Sequence, residues 1–356
     1  MPDGNALPLA AARPAVYVGG VDQPALQGGL LELAIRESCE GLYRCEALFN
    51  NWGSSDSGPG FLYFDRRTLE FGKRFEVRLG NDLLFDGRIM ALHGEFPAGG
   101  PPRVRILAED RLQDLRMTRR TRSFADMSDS DAIGRIARDH GLTPGAALPG
   151  PTHKILAQVN QSDLAFLRER ARAAGAEIWI EGNNLRAARR TQRGGTPLRL
   201  VHGARLREFS VVADLAGQCT KLTAGGWDVA SKSAVKGEAE AAALGGELGN
   251  DEGGSAILRS VLGERIQALA HTVPFAADEA RAQAEARYRA AARRFVVGRG
   301  VAEPDPRLRV GTTVALDGLG PLFSGNYYLS QTCVLFDGAR GLRTEFTGER
   351  PGLGRP

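Results

Sequence analysis

The sequence predicts a mainly β protein of the α+β class, with two tandem antiparallel β-barrels, a small α/β insert domain between them and a helical insert in the second barrel. Three observations predict this fold. Apolar and polar residues alternate in short runs over residues 30–111, the period becomes helical after about residue 116, and alternation returns after residue 198. A chain of 356 residues also exceeds the size at which one hydrophobic core usually stops growing.

The first barrel is predicted over residues 1–115. Its strands follow from the alternating runs LELAIRES, YRCEALF, FEVRL, LFDGRIMALHGEF and PRVRILAED, which are separated by turn residues. Six or so short strands with one buried face each favour a small antiparallel barrel or sandwich.

Residues 116–198 are predicted to form the α/β insert domain. In MSDSDAIGRIARDHGLTP, Ser128 and Asp131 have the spacing of a capping box, and Gly141 marks the end of the helix. The apolar residues between these two signals recur with a helical period, so both ends of this helix are marked.

A second helix of the insert domain is predicted in NQSDLAFLRERARAAG. Asn160 and Asp163 can each cap its first turn, and Gly175 stops it. The segments AEIWIEG and LRAARR then form a strand pair that is predicted to turn at Asn183 and Asn184.

The second barrel is predicted over residues 199–228 and 296–356, with a loop and helix insert at 229–295. Strand patterning recurs in LREFSVVAD, KLTAGGW, TTVALDG, LFSGNYYLSQTCVLF and LRTEFTGER. Within the insert, GEAEAAALGGELGNDEGGSA predicts a flexible loop. Residues Ala276 to Arg294 predict a long helix, with acidic residues early and arginines late.

An internal repeat connects the two predicted barrels. LLELAIRESCEGLYRCEALFNNW aligns with LREFSVVADLAGQCTKLTAGGW, and the later strands align as well. The matched residues are Glu32 with Glu208, Gly41 with Gly217, Trp52 with Trp227, Gly72 with Gly311, Gly87 with Gly325, and Arg111 with Arg350. The offset grows from 175 to 239, so about 64 extra residues would follow Trp227 in the second copy. The alternative is that alternating strands resemble one another without duplication.

The charge balance argues against a dedicated nucleic-acid binder. Lys and Arg total 46 against 42 Asp and Glu, whereas such binders are usually more lopsided. Two basic clusters lack interleaved aromatic residues and are predicted to form a solvated or subunit-contacting face, with no specific nucleic-acid binding. Their members are Arg116, Arg119, Arg120 and Arg122 in the first, and Arg186, Arg189, Arg190 and Arg193 in the second.

Cysteine usage and hydropathy bear on where the chain folds. Four cysteines without a CxxC pair are too few for a disulfide scaffold, so folding in a reducing cytoplasm and burial as small apolar residues are expected. The N-terminus lacks the pattern of a signal peptide, and no apolar run reaches the roughly 20 residues that span a bilayer, so no membrane insertion is expected. The cysteines are Cys39, Cys45, Cys219 and Cys333.

No residue pattern predicts a catalytic, cofactor or metal site, and no cofactor is expected. The histidines have no metal-ligand spacing and are predicted to be surface or structural residues; they are His93, His140, His153, His202 and His271. Capping explains the carboxylates near one helix start, which are Asp126, Asp129 and Asp131. Glu32 and Glu208 occupy equivalent repeat positions, which favours a shared structural role.

Several segments resemble phage late control D tail proteins and the N-terminal hub region of type VI secretion VgrG spikes. In QVNQSDLAFLRERARAAGAEIWIEGNNLRA, the matching residues are Ser162, Asp163, Phe166, Leu167, Arg170, Gly175 and Trp179. GGWDVASK matches at Gly226, Trp227, Asp228 and Lys232, and TEFTGER matches at Phe346, Thr347 and Arg350. The resemblance covers nearly the whole chain.

The resemblance implies a structural baseplate hub of a contractile tail or contractile injection system. Such a hub is a homotrimer whose tube-like barrels, two per chain, adapt a sixfold inner tube to a threefold spike; three chains with two equivalent barrels present six similar units. Its partners would be an inner tube protein, a separate spike protein and neighbouring baseplate proteins. The protein would be made in the bacterial cytoplasm and incorporated in a phage tail or an extracellular tail-like particle.

Two other functions stay open from the sequence. A tail-associated cell-wall hydrolase of the glycosidase type would need a convergent pair of buried carboxylates. A carbohydrate-binding β-module would need exposed aromatic residues on one face, and Trp52, Trp179 and Trp227 are instead predicted at structural positions. The leading prediction is a non-enzymatic assembly protein.

Overall fold

A computed structural model describes residues 13–55, 58–228, 231–270, 274 and 276–355. The chain is mainly β, as the sequence predicts, and has seven α-helices in these residues, of which the sequence predicted three. Thirteen strands form one large sheet, and shorter sheets of two or three strands pack around it. His271 lies outside the described residues.

The first segment supplies the strands of one half of the large sheet. Its elements are β1 (Ala15–Val18), β2 (Val21–Asp22), α1 (Pro24–Gly28), β3 (Leu30–Ser38), β4 (Arg44–Asn50), β5 (Trp52–Ser55), β6 (Gly58–Phe61), β7 (Arg74–Leu79), β8 (Asp82–Glu95) and β9 (Arg103–Glu109). Inward-facing residues of these strands share one core, which includes Phe49, Phe75 and Ile106.

The middle segment packs two helices against two small sheets. A 3-10 helix (Arg111–Leu115) precedes β10 (Arg119–Ser128), α2 (Asp129–Asp139), β11 (Thr143–Ala146), β12 (Thr152–Ser162), α3 (Asp163–Ala173), β13 (Ala176–Glu181), β14 (Asn184–Arg189) and α4 (Arg190–Arg193). Strand β10 pairs with β12, and β14 lies between β11 and β13. Phe124 stacks on Phe166 in the core of this segment.

The last segment contains the other half of the large sheet and an insert. Its first elements are β15 (Leu198–Val201), β16 (Leu206–Ala213), β17 (Lys221–Asp228), β18 (Ser233–Ala239), a 3-10 helix (Ala241–Leu248), β19 (Glu252–Gly253), α5 (Gly254–Leu262), β20 (Ile266–Ala268) and α6 (Ala277–Ala292). The remaining elements are β21 (Val296–Ala302), β22 (Thr313–Asp317), α7 (Gly320–Phe323), β23 (Gly325–Asp337), β24 (Gly341–Arg350) and β25 (Gly352–Leu353).

The two halves of the large sheet have the same strand order. The order β3-β4-β9-β8-β7-β1 in one half corresponds to β16-β21-β24-β23-β22-β15 in the other. Both β3 and β16 have a bulge at the second residue, so Glu32 and Glu208 occupy equivalent positions at the predicted offset of 176. The Gly72 amide donates to the Ile89 carbonyl, and the Gly311 amide donates to the Leu329 carbonyl. Only the edge pair differs, because β1 runs antiparallel to β7 while β15 runs parallel to β22.

Part of the predicted repeat alignment is wrong. Strand β17, with Trp227, pairs with β18 and β20 in a separate sheet, and β21 takes the place equivalent to β4. The insert therefore lies between β16 and β21 and includes residues 221–228. When the bulges of β8 and β23 are aligned, Arg88 is equivalent to Tyr328, so the predicted match of Gly87 with Gly325 is wrong as well. Sequence spacing misled here because β4 and β17 follow their preceding strands at similar distances.

The halves are not closed barrels in the residues that the structure describes. The hydrogen-bonded path runs from β16 at one end to β2 at the other, and β23 joins the halves by pairing with β3. Each half nevertheless has its own core, because its inward-facing side chains form a separate cluster.

The Gly- and Ala-rich part of the insert is ordered, contrary to the predicted flexible loop. It contains β18, the 3-10 helix Ala241–Leu248 and α5, and it packs on α6. Small residues allow this close contact, since a Cβ on Gly237 would lie 2.3 Å from the Ala280 backbone. The predicted long helix is confirmed as α6, at Ala277–Ala292.

Local signals in the middle segment are largely confirmed. Ser128 and Asp131 form the capping box of α2, and Gly141 follows that helix with a φ of 64°. Ser162, rather than Asn160 or Asp163, caps α3 by accepting the Ala165 amide. The β13–β14 turn lies at residues 182–183, one residue before the predicted position, because Gly182 takes the positive φ that this turn needs.

Candidate assembly surface

Eight neighbouring strands form a continuous sheet through both halves of the chain, here called the shared sheet. Its order is β16-β21-β24-β23-β3-β4-β9-β8. Side chains alternate along each strand, so the shared sheet has two different faces. One face packs on the two cores, and the other, here called the polar face, carries both polar and apolar side chains. The polar face lines a broad depression that includes Arg36, Glu208 and Arg299.

Ion pairs cross the polar face of the shared sheet. Arg36 lies 3.1 Å from Glu46, and Arg105 lies 2.9 Å from Glu95 and 3.2 Å from Glu32. These side chains are half-buried or exposed, so each pair contributes little to stability. Glu32 is thus an exposed partner of an arginine, and its repeat equivalent Glu208 is exposed at the edge of the sheet.

The two halves meet where residues 331–337 of β23 pair antiparallel with residues 32–38 of β3, a contact here called the internal junction. Phe336 lies opposite Leu33 and is 7% exposed, because it packs into the core of the first half. The buried carboxylate of Glu37 accepts hydrogen bonds from Arg309 and from the Val310 amide. The junction therefore combines sheet pairing, apolar burial and a buried ion pair.

Each end of the shared sheet has an unpaired strand edge in the described part of the chain. Strand β8 pairs with β7 only as far as Arg88, so residues 90–95 have β9 on one side alone. Strand β16 pairs with β21 on one side alone. Unpaired edges of this length offer backbone donors and acceptors to another strand.

An aromatic patch lies beside the free edge of β8. Phe96, just beyond β8, contacts Phe64 and Phe61, with ring centroids 5.7 Å and 6.3 Å away. Trp52 on β5 contacts Phe61 on β6 at 5.4 Å. All four side chains are exposed, from 38% for Phe64 to 67% for Phe96. Clustered exposed aromatics mark an interaction site, and the prediction that Trp52 is structural is wrong in this respect.

Two of the four arginines in the second arginine cluster are largely buried rather than solvated. Glu177 on β13 accepts hydrogen bonds from Arg190 at 3.0 Å, from Arg193 at 2.9 Å and from the Tyr328 hydroxyl. Arg190 also pairs with Glu349 of β24, and Arg193 donates to the Tyr43 hydroxyl at 2.6 Å. The predicted solvated or subunit-contacting face is wrong for Arg190 and Arg193, because these residues tie the middle segment to both halves.

The remaining members of that cluster lie at the surface. Arg186 pairs with the exposed Glu181, and Arg189 donates to the Pro149 carbonyl. Trp179, one of the residues that carry the resemblance, lies under the Arg193 guanidinium at 4.1 Å from the ring centroid. This contact gives Trp179 the structural position that the sequence predicted.

The first arginine cluster is engaged within the chain. Arg122 donates to Asp163 at 2.7 Å and to Asp139 at 2.8 Å, and Arg120 lies 3.3 Å from Asp163. The Nε2 of His140 lies 2.8 Å from Asp163 as well. Two other contacts complete the cluster: Arg116 with Glu109, and Arg119 with the Asn160 carbonyl. Asp163 thus orders the start of α3 through ionic contacts, while the neighbouring Ser162 caps it.

A second ionic cluster connects α2, α3 and α6. Asp129 accepts from Arg170 at 2.6 Å and lies 3.5 Å from His153, whose Nδ1 lies 3.3 Å from Glu279. Asp129 is therefore an ion-pair partner, and of the three carboxylates named from the sequence it is Asp131 that belongs to the capping box. Helical periodicity gave no signal for this cluster, because its members come from distant parts of the chain.

We expect the ionic cluster at His153 to make the stability of the protein pH-dependent. Hydrogen bonds to Asp129 and then to Glu279 raise the pKa of His153 to about 9. A basic group whose pKa is higher in the folded state than in the unfolded state stabilises the folded protein. For His153 this contribution is complete below the unfolded pKa of about 6.5 and is lost as the pH rises through 9. As the pH is raised from 6.5 to 9, the urea concentration at the unfolding midpoint should therefore decrease. This decrease should be smaller in His153→Gln. A matched His202→Gln variant, at an exposed turn, should behave like the unmodified protein; equal slopes in all three would contradict the expectation.

The other residues named from the sequence are dispersed. Cys45 and Cys219 are buried, while Cys39 and Cys333 are half-buried, and all four are free thiols. His93 and His202 are exposed. Across the described ranges, no three His, Cys, Asp or Glu side chains are grouped as metal ligands. No helix among the described residues has both the length and the apolar character needed to cross a bilayer.

The fold is similar to that of several phage tail proteins. The 43 kDa tail protein of prophage MuSo2 from Shewanella oneidensis matches with a TM-score of 0.71 and 11% identity, over 96% of this chain and 99% of that one. A tail protein from Neisseria meningitidis MC58 matches with a TM-score of 0.66 and 13% identity, over 96% and 97% of the two chains. These likenesses establish a shared fold.

A secretion component and a family model also match. An E. coli component of the type VI secretion system, described as similar to bacteriophage T4 tail proteins gp27 and gp5, matches with a TM-score of 0.56 and 12% identity, over 96% of this chain and 79% of that one. The family model described as Alg8 N-terminal domain matches residues 56–334. It is a different family from the one that the sequence motifs resemble. No curated protein matches the sequence.

Proposed function

The chain belongs to the Alg8 N-terminal domain family, and from the fold that it shares with phage tail proteins we propose a structural, non-enzymatic role in a tail or contractile injection particle. Within that particle it would be the baseplate hub. Its partners would be an inner tube protein on one side, a separate spike protein on the other and neighbouring baseplate proteins.

The internal duplication is the observation that carries this proposal. Two halves with the same strand order are joined in one shared sheet by the internal junction. Three such chains would present six similar halves, which suits an adaptor between a sixfold tube and a threefold spike. The aromatic patch and the free strand edges supply surfaces through which copies and neighbours can associate.

Light scattering and electron microscopy of the purified full-length chain test this role. The expected result is a particle with the mass of three chains and a ring with a central channel in projection. Purified tail particles from the producing cell should contain the same ring at the tube end. A chain that stays monomeric at every concentration and is absent from such particles would contradict the proposal.

A carbohydrate-directed function is the second candidate, and two observations favour it. The matching family is related to glycosyltransferases, and exposed aromatic rings such as Trp52 and Phe61 can stack on sugars. Calorimetric titration with soluble peptidoglycan fragments separates the candidates. Binding that is lost in Trp52→Ala, or release of free sugars, would favour this second function over the hub.

A further inference from the structure

A wide cleft lies between α3, α6 and the part of the shared sheet formed by β21, β24 and β23. Its volume is about 1110 Å³. Pockets that hold one small molecule usually have about 300–1,000 Å³, so this volume favours a longer ligand, such as a segment of polypeptide. The cleft is here called the arginine cleft, and its lining includes Arg168, Arg287, Arg294, Arg299, Gln331 and Thr347.

Positive charge exceeds negative charge in the arginine cleft. Eight arginines and four glutamates line it, which gives a net charge of +4. Three of these arginines pair with carboxylates, namely Arg170 with Asp129, Arg190 with Glu177 and Arg293 with Glu247. Three others make no side-chain hydrogen bond or ion pair with any described residue, and these are Arg287, Arg294 and Arg299. The cleft therefore has positive charge available for an anionic ligand.

Arg168 is fixed in the cleft by neutral partners. Its guanidinium donates to the Glu40 carbonyl at 2.8 Å and to the Gly41 carbonyl at 3.2 Å. Burial, and after it the positive charge of Arg172, lowers the pKa of Arg168 from its ordinary value. A carboxylate bound nearby would offset both effects, because an opposite charge favours the ionised form.

A row of polar side chains forms the floor of the arginine cleft. Arg299 on β21 lies opposite Thr347 on β24, and Thr347 lies opposite Gln331 on β23. Gln331 in turn lies opposite Ser38 on β3. Neighbouring strands are about 4.8 Å apart, so the row is about 14 Å long. Hydroxyl and amide groups along it can bond to the backbone of an extended peptide, whereas a helix already satisfies its own backbone groups.

Helix α6 forms one wall of the arginine cleft. Arg287, Ala290 and Arg294 follow one another at intervals of three and four residues, so they lie on the same side of the helix. The acidic residue Glu285 faces elsewhere, since it pairs with Arg281 and is not part of the lining. Gln283 also lines the cleft, and its Oε1 is buried without a hydrogen-bond donor in the described part of the chain. This wall thus offers two unpaired cations and one unpaired acceptor.

We propose that the arginine cleft binds an extended, acidic peptide segment of a partner protein, whose carboxylates pair with Arg287, Arg294 and Arg299. Arginine is suited to this contact because its planar group bonds a carboxylate through two parallel hydrogen bonds. Nucleic acid fits less well, since the lining has no aromatic residue among the described positions for bases to stack on, and its glutamates repel phosphates. The inference goes beyond the proposed hub role, because it does not depend on how many copies assemble.

Fluorescence anisotropy with the full-length protein tests the proposal. The probe is a fluorescein-labelled ten-residue peptide that alternates Glu and Gly, and the reference is the same peptide with Gln in place of Glu. The acidic peptide should bind at low salt and the reference should not. Binding should weaken as NaCl is added, because salt screens the charge pairs.

A matched pair of double variants locates the binding site. Arg287→Gln with Arg294→Gln should raise the Kd for the acidic peptide by about tenfold, because it removes two charge-assisted contacts. Arg259→Gln with Arg281→Gln changes the charge by the same amount at exposed positions of the same insert that do not line the cleft. This control should change the Kd by less than about twofold.

The results that would overturn the proposal are distinct. Equal weakening by the two double variants would mean that the peptide senses only the overall charge. A ten-nucleotide single strand that binds more tightly than the peptide, and that depends on Arg287 and Arg294, would make nucleic acid the occupant. No binding of the acidic peptide at low salt would reject the site. Trimer formation is measured separately by light scattering, so the hub proposal can fail or hold independently of these results.

Discussion

Replacing Phe336 with alanine is expected to lower the free energy of unfolding by about 3 kcal/mol, whereas the same change at Phe96 should alter it by less than about 0.5 kcal/mol. Phe96 lies one residue beyond β8, at the position that corresponds to Phe336 of β23 when the bulges at Met90 and Ser330 are aligned. Their environments differ, because Phe336 packs in the core of the first half and Phe96 is exposed. Removing a buried ring loses its transfer energy and leaves a cavity, and removing an exposed ring does neither.

Urea unfolding of both variants as isolated chains measures this difference. Association should show the reverse order, because Phe96 belongs to the exposed aromatic patch through which copies can associate and Phe336 does not. Trimer formation of Phe96→Ala, followed by light scattering, is therefore expected to require a higher protein concentration. Equal destabilisation by the two variants would mean that the internal junction does not depend on the Phe336 ring.

The elements of the fold were predictable from the sequence because each has a local cause. The alternation of apolar and polar residues predicted β3, β4, β8 and β9, and capping signals predicted α2. The offset between Glu32 and Glu208 was also predictable, because a bulged strand start recurs in both halves. Such features depend on residues that are close in the chain.

Strand partners and burial were not predictable, because they depend on distant residues. The alternation of β17 resembles that of β4, yet only contact with β18, β20 and α6 decides its sheet. The sequence likewise showed Arg190 and Arg193 as a basic cluster, since their partners are dispersed over several elements. The different burial of Phe96 and Phe336 follows from which strand edge another strand covers, and no local pattern records that.

Glu177→Ala is expected to destabilise the protein by about 3 kcal/mol, because it removes a buried carboxylate that joins the middle segment to β23 of the large sheet. Glu177 contacts Arg190 and Arg193 of the middle segment and Tyr328 of β23. Arg190 would keep its pair with Glu349, but Arg193 would keep only neutral contacts while 7% exposed. A buried charge that loses its partner costs more than the pair contributes when it is intact.

Glu181→Ala is the matched control for Glu177→Ala, because Glu181 lies on the same strand and also pairs with an arginine. Its side chain is 62% exposed and that of its partner Arg186 is 42% exposed, so the loss should stay below about 1 kcal/mol. Urea midpoints of the two variants give the comparison. The segments held by Glu177 should also become more accessible to protease in Glu177→Ala, since the middle segment loses its hydrogen bond to Tyr328 of the large sheet. If both variants unfolded at the same urea concentration, the buried network would not be what holds the middle segment against the two halves.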